Sequence, residues 1–280
     1  MLHSSLRPYY VMGSLIAVML AVTAAGGLFA PEIYDPFLEN KALLAGLPVQ
    51  DLVSLIAAPL LVAAMVLAGR GSVRGFVGWT GLLVFAAYYY AFYCFGYLYT
   101  IFYPLYLAIM GLSVYALAGL LTSVDVNLFM QSVRDKMPVR FISLVLAMPL
   151  LLVPLWSMGI LQGIRTQQAA EADLVFVLDL SFMIPAMTFA AVQIWRRRPV
   201  GYLLGGVLLV KAAISGILLT GGSLRQVLLG FTVGPDVAMY IFLLVAGVAG
   251  FVLYMRNLQD KPDPYKPNGT ITPASLGEHK

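Results

Sequence analysis

The chain has 280 residues, of which 61% are hydrophobic and only 11% are charged. A soluble domain usually carries about 25% charged residues, so this composition excludes a soluble globule, a coiled coil and a disordered chain. The net charge of +4 does not indicate nucleic-acid binding, because the basic residues lie in short loops beside apolar runs.

The sequence predicts an all-α, polytopic transmembrane bundle of eight helices. Each apolar segment has about 20 residues, enough to cross roughly 30 Å of hydrocarbon at about 1.5 Å per residue. The predicted helices span residues 9–30, 52–69, 76–97, 104–121, 141–161, 174–195, 202–221 and 237–255. They form one domain, residues 1–256, followed by a proline-rich tail, residues 257–280, that is expected to be cytoplasmic and disordered.

The distribution of lysine and arginine predicts the orientation. With the N-terminus inside, Lys41, Arg165 and Arg225 lie outside, Lys211 lies within the membrane, and the other basic residues face the cytoplasm. The positive-inside rule favours this arrangement. We therefore expect a multi-pass protein of the cytoplasmic (inner) membrane with both termini in the cytoplasm.

Two features of the loops and helix starts predict local structure. Between helices four and five, apolar residues recur at helical spacing, which predicts a short helix on the inner leaflet, capped by Asp125. These residues are Val126, Phe129, Met130, Val133 and Met137. Asp51 precedes the apolar run of helix two, so we expect it to cap that helix, with ligand binding as the alternative.

A weak internal repeat is present. The segment from Gly75 to Val84 aligns with the segment from Gly201 to Val210. If this agreement is not chance among abundant Leu, Val and Gly, helices 1–4 and 5–8 form two parallel repeats about an axis along the membrane normal.

Charged residues within the apolar segments are the clearest sign of a site. Asp179 and Lys211 fall on the sixth and seventh helices, which a short turn connects, and their heights differ by about 7 Å at the rise of a helix. Ionisable residues inside a membrane face the bundle interior and usually pair. The two residues therefore mark a substrate or proton site, or else a structural ion pair.

Tyrosines cluster near the end of the third helix. An aromatic belt explains those nearest the predicted interface, but Tyr88, Tyr89, Tyr90 and Tyr93 begin deeper. Tyr90 stands at the predicted height of Asp179, and a buried phenol needs a hydrogen-bond partner. We therefore expect Tyr90, Tyr93 and Asp179 to line one polar pocket that opens to the outside. With Lys211, Tyr89 and Asp51 they are the candidate substrate-binding residues.

The sequence predicts no metal site and no cofactor. Its only histidines, His3 and His279, lie in the tails, and Cys94 is its only cysteine. This excludes haem, copper and di-iron centres built on histidine. The expected partners are membrane lipids, a small-molecule or lipid ligand, and a second copy or a larger membrane complex, but not nucleic acid.

Three stretches of the chain carry a resemblance to other proteins: residues 90–93 with 104–107 and 112–117, residues 50–53, and residues 198–204. They resemble a family of uncharacterised prokaryotic multi-pass membrane proteins with eight helices. The resemblance covers most of the chain and implies the same membrane fold, but no assigned activity.

These observations leave three hypotheses for function. The first is a small transporter with a polar Tyr/Asp/Lys pocket in the outer half of the membrane. The second is an enzyme or binder of a lipid or lipid-soluble cofactor, with Asp179 as acid or base and Lys211 as an electrostatic anchor. The third is a non-catalytic membrane subunit or sensor in which the two charges are structural.

Overall fold

The computed structural model describes residues 6–37, 41–168, 173–231, 234 and 236–260, and in these residues it contains helices and no strand. The predicted all-α fold is therefore confirmed. The first helices are α1 (Arg7–Phe29), α2 (Lys41–Gly69), α3 (Val73–Phe95), α4 (Tyr103–Thr122) and the short α5 (Val126–Met130). They are followed by α6 (Val139–Ala147), α7 (Leu152–Thr166), α8 (Asp173–Leu178), α9 (Ile184–Trp195), α10 (Pro199–Leu228) and α11 (Asp236–Arg256).

Within the described ranges, eight helical spans are long and apolar enough to cross a membrane, as the sequence predicts. Two of them combine two helices each. A 3-10 turn, Met148–Leu151, joins α6 to α7, and a π-helical turn, Asp179–Met183, joins α8 to α9. The chain is thus a multi-pass integral membrane protein.

Proline explains where these two spans lose regular α-helical geometry. Pro149 lies in the 3-10 turn, and Pro185 lies in the first turn of α9, just after the π-helical turn. A proline has no N–H to donate and clashes with the preceding turn, so the α-helical hydrogen bonds are interrupted there. The backbone adapts at Asp179, whose carbonyl accepts from the N–H of Ile184. Turns of this π type are frequent at functional sites.

The two halves of the chain have the same ring of helix contacts. In the first half, α1 packs on α2, α2 on α3, α3 on α4, and α4 on α1. In the second half, α6 packs on α9, α9 on α10, α10 on α11, and α11 on α6. Between the halves, α3 packs on α10. If α3 corresponds to α10 and α2 to the α8–α9 span, the contact of α2 with α10 is equivalent to the contact of α8 with α3. This pattern supports the predicted parallel repeat.

The contact between α3 and α10 lies at the centre of the bundle. Tyr89 on α3 donates a hydrogen bond to Ser215 Oγ on α10 over 2.8 Å. Tyr89 follows Gly75 by the same number of residues as Ser215 follows Gly201, and these two glycines are aligned in the repeat. Equivalent positions of the two repeats therefore meet at one height, as they would at a two-fold axis along the membrane normal.

The short helix α5 begins where the sequence predicts, but it does not lie on a lipid surface. Asp125 caps it by accepting hydrogen bonds from the backbone N–H groups of Asn127 and Leu128. Phe129 is fully buried and Met137 is buried, because the apolar face of the segment packs into the protein core. The expected position on the inner leaflet is wrong.

Residues after α11 bind the end of the bundle where α3 begins. Arg74 donates to the carbonyl of Leu258 over 2.6 Å, and Asp260 Oδ1 accepts from the N–H of Val73, also over 2.6 Å. The first residues of the predicted disordered tail, through 260, are thus in contact with the helices. Residues 261–280 lie outside the described residues, as do His3 and His279. We call this end, which also carries the arginines 196–198, the basic end.

Candidate functional site

A cavity of about 590 Å³ lies between the two halves, towards the end of the bundle opposite the basic end. It is bounded by the last turns of α3, the second half of α10, the first turns of α2, α8, α9 and α11, and the α6–α7 span. Its lining is predominantly apolar. The charged side chains among the lining residues are Asp179 and Lys211.

Asp179 is held by two donors from two other helices. Tyr88 on α3 donates its hydroxyl to Asp179 Oδ1, and Trp156 on α7 donates Nε1–H to Oδ2 over 3.2 Å. The Trp156 ring packs on Phe176, with ring centroids 5.0 Å apart. Only 8% of Asp179 is exposed, so the carboxylate is buried at the point where the π-helical turn begins.

Lys211 on α10 faces the same cavity without contacting the carboxylate. Its Nζ lies 3.9 Å from the centroid of the Tyr88 ring, a cation–π contact. The charged atoms of Lys211 and Asp179 are more than 4.0 Å apart, so no ion pair joins them. The structural ion pair considered from the sequence is not formed, because Tyr88 lies between the two charges.

The expected pocket of Tyr90, Tyr93 and Asp179 is divided into two sites. Tyr89 and Tyr93 line the cavity, but Tyr90 does not. The Tyr90 hydroxyl lies 3.0 Å from Thr23 Oγ1 on α1, on the side of α3 that faces the first half. The structure therefore brings Tyr89, Tyr93, Asp179 and Lys211 together and leaves Tyr90 in the first half.

Asp51 is the centre of the second polar cluster. It is 2% exposed and lies inside α2, which begins at Lys41, so the expected N-cap role is wrong. Tyr34 donates to Asp51 Oδ2 over 2.9 Å, and Tyr93 donates to Oδ1 over 3.0 Å. Burial, together with the nearby charge of Asp51, raises the pKa of the Tyr34 phenol well above its usual range, so Tyr34 stays a donor.

Helix α1 and two aromatic rings pack closely against this cluster. A Cβ on Gly27 of α1 would lie 2.0 Å from Asp51 Oδ2 and 2.5 Å from the Tyr34 hydroxyl. The Tyr93 ring packs on the rings of Tyr90 and Tyr106, with centroids 5.2 and 4.7 Å apart. The cluster around Asp51 is therefore a packed polar core of the first half, and Tyr93 separates it from the cavity.

Several residues of the site are not among the sequence candidates. Tyr88 and Trp156 hold Asp179, Ser215 binds Tyr89, and Tyr34 binds Asp51. A charged residue stands out in an apolar helix because it is rare there. These four residues are neutral, so the sequence does not distinguish them from other residues of the helices. Only the tyrosine cluster points towards Tyr88.

The site offers one carboxylate, one ammonium group, several phenols and a few hydroxyl, amide and indole groups. In the described part of the chain, no three His, Cys, Asp or Glu side chains come together as metal ligands would. No family model, no curated protein and no solved structure matches this chain. What the chain does must therefore be argued from the geometry of this cavity.

Proposed function

We propose that this protein is a membrane carrier whose substrate binds in the cavity between its two halves. The observation that carries this proposal is the place of the cavity: it opens at the contact of two equivalent helix rings, and Asp179 and Lys211 both line it. Carriers built from repeats bind their substrates at such an interface near the bilayer midplane.

Burial of two charges supports a ligand site rather than a packing device. A charged side chain within the membrane is costly, so such residues mark substrate or ion pathways by default. A structural role would join the two charges directly to reduce this cost. Here the Lys211 ammonium group and the Asp179 carboxylate stay apart and both face open space.

The cavity is closed towards the basic end, as one state of an alternating-access carrier requires. Beyond Lys211 in that direction, Leu83 and Phe85 on α3 and Leu209 on α10 are fully buried. Rocking of one helix ring against the other about the α3–α10 contact would open this packed layer and close the opposite end.

Cysteine labelling tests alternating access without knowledge of the substrate. In a Cys94→Ser background, Ser215→Cys places a thiol in the cavity wall, and Leu209→Cys on the same helix places one in the packed layer. A membrane-impermeant maleimide is added to right-side-out and to inside-out vesicles. We expect the thiol at position 215 to react from both sides. The thiol at 209 should react from the side of the basic end, where the packed layer opens, and at least about 10-fold more slowly from the other side.

If the thiol at position 215 reacts in only one of the two vesicle preparations, it is reached from one side of the membrane only. That result would contradict a carrier. It would favour a binder or a subunit with a one-sided pocket. The side from which the thiol at position 209 reacts is the side on which the basic end lies, and this result tests the predicted orientation.

A further inference from the structure

We infer that the cavity takes a small zwitterionic molecule with an apolar body, bound with its anionic group at Lys211 and its ammonium group at Asp179. This inference rests on the proposed role of the cavity as a substrate site, and it names the class of that substrate. Four observations carry it: the free ammonium group, the remaining capacity of the carboxylate, the balance of charge and the apolar walls.

The Lys211 ammonium group has unused hydrogen-bonding capacity. Its three N–H donors make no hydrogen bond to the described residues, and its contact there is the face of the Tyr88 ring. Lys211 is 6% exposed and lines the cavity, so bulk water reaches it poorly. A buried, unpaired cation facing a cavity is complementary to an anionic group of a ligand.

Asp179 can accept further hydrogen bonds. A carboxylate has about four lone-pair sites. Tyr88 and Trp156 each use one of them, which leaves one on each oxygen. Because both present donors are neutral, the negative charge has no positive partner among the described residues within 4.0 Å. An ammonium group of a ligand would supply one.

The balance of charge selects a zwitterion over a simple ion. The charged lining residues, Asp179 and Lys211, cancel each other, so a ligand with a single charge would leave a net charge buried in the membrane. Uncompensated burial of a charge costs several kcal/mol in proteins. A ligand that carries both charges pairs each of them and keeps the cavity neutral.

The remaining walls suit an apolar body. They include Phe92 of α3, Leu152 of α7, Met183 in the π-helical turn, Met187 of α9 and Leu243 of α11. A volume of about 590 Å³ lies in the range of sites that enclose a small organic molecule. Two kinds of molecule share this chemistry: a hydrophobic α-amino acid and a zwitterionic single-chain lipid.

Binding to the full-length protein in nanodiscs tests the inference with matched probes. L-phenylalanine is compared with 3-phenylpropanoate, which lacks the ammonium group, and with 2-phenylethylamine, which lacks the carboxylate. Lysophosphatidylethanolamine is compared with lysophosphatidic acid in the lipid arm. We expect one zwitterion to bind at least about 10-fold more tightly than its singly charged analogues, and the arm that responds identifies the source.

Two variants should change which probe binds most tightly. Lys211→Met leaves Asp179 alone and should favour the amine over the zwitterion, whereas Asp179→Asn leaves Lys211 alone and should favour the anion. Lys211→Arg keeps the positive charge and should keep the zwitterion preference. Circular dichroism and thermal unfolding verify that each variant is folded.

The inference is overturned if neither zwitterion binds more tightly than its analogues, or if folded variants lose affinity for all probes alike. Its failure is distinct from failure of the proposed function. If Ser215→Cys is labelled from both sides but no zwitterion binds, the protein is a carrier of another class of substrate. If a zwitterion binds but labelling occurs from one side only, the ligand class is supported and the carrier proposal is wrong.

Discussion

Replacing Asp51 with alanine is expected to lower the free energy of unfolding by roughly 2–6 kcal/mol, because two buried hydroxyl groups lose their acceptor at about 1–3 kcal/mol each. Those hydroxyls belong to Tyr34 and Tyr93, which donate to the two oxygens of the carboxylate. Thermal unfolding in a mild detergent measures the loss.

Asp179→Ala is the matched comparison, since this residue also accepts from two side chains. Asp179 borders a cavity in which water can replace the lost acceptor, whereas the cluster around Asp51 is tightly packed. We therefore expect Asp179→Ala to cost clearly less stability than Asp51→Ala. Equal losses would place Asp179 in a structural role and weaken the proposed function.

The second large effect is expected at the contact between the two halves. A Cβ on Gly81 of α3 would lie 2.4 Å from the Cβ of Val210 on α10, so Gly81→Ala forces the two central helices apart. Overpacking of this kind typically costs about 1–3 kcal/mol. Thermal unfolding should show the loss, and the double variant Gly81→Ala/Val210→Gly, which removes the clashing Cβ of Val210, should recover part of it.

Gly78 provides the control on the same helix. A Cβ there would meet the Cβ of Ala64 at 3.5 Å, an ordinary van der Waals distance. Because alanine favours a helix over glycine by about 1 kcal/mol, Gly78→Ala should leave stability unchanged or raise it. If Gly78→Ala and Gly81→Ala behave alike, α3 and α10 do not pack as closely as described.

The membrane helices could be predicted from the sequence because apolar length alone identifies a span. The start of α2 could not. Pro48 looks like a helix boundary, yet the helix continues through it from Lys41. A proline removes one backbone hydrogen bond, and packing of an apolar segment can outweigh that loss. Because α2 begins ten residues before Asp51, this residue is not a helix cap but part of a buried polar cluster.

The candidate site was only partly predictable. Asp179 and Lys211 stand out because charges are rare in apolar helices. The choice between Tyr88 and Tyr90 as the partner of Asp179 could not be made, because α3 is central and buried on nearly every side. Helical periodicity then indicates no preferred face. The partners of Asp51 lie 17 and 42 residues away in the chain, and no local pattern links them.

Native mass spectrometry, with release and identification of bound molecules, tests most directly whether the cavity is a ligand site. The purified protein is measured with and without the zwitterionic probes, beside Asp179→Asn, Lys211→Met and the control Asp135→Asn, which changes an exposed residue at the basic end. We predict one net-neutral zwitterion per chain in the wild type and the control, and its loss from the two cavity variants. A wild type that stays free of ligand in the presence of the probes, with variants that differ only in stability, would contradict the account and make the two buried charges structural.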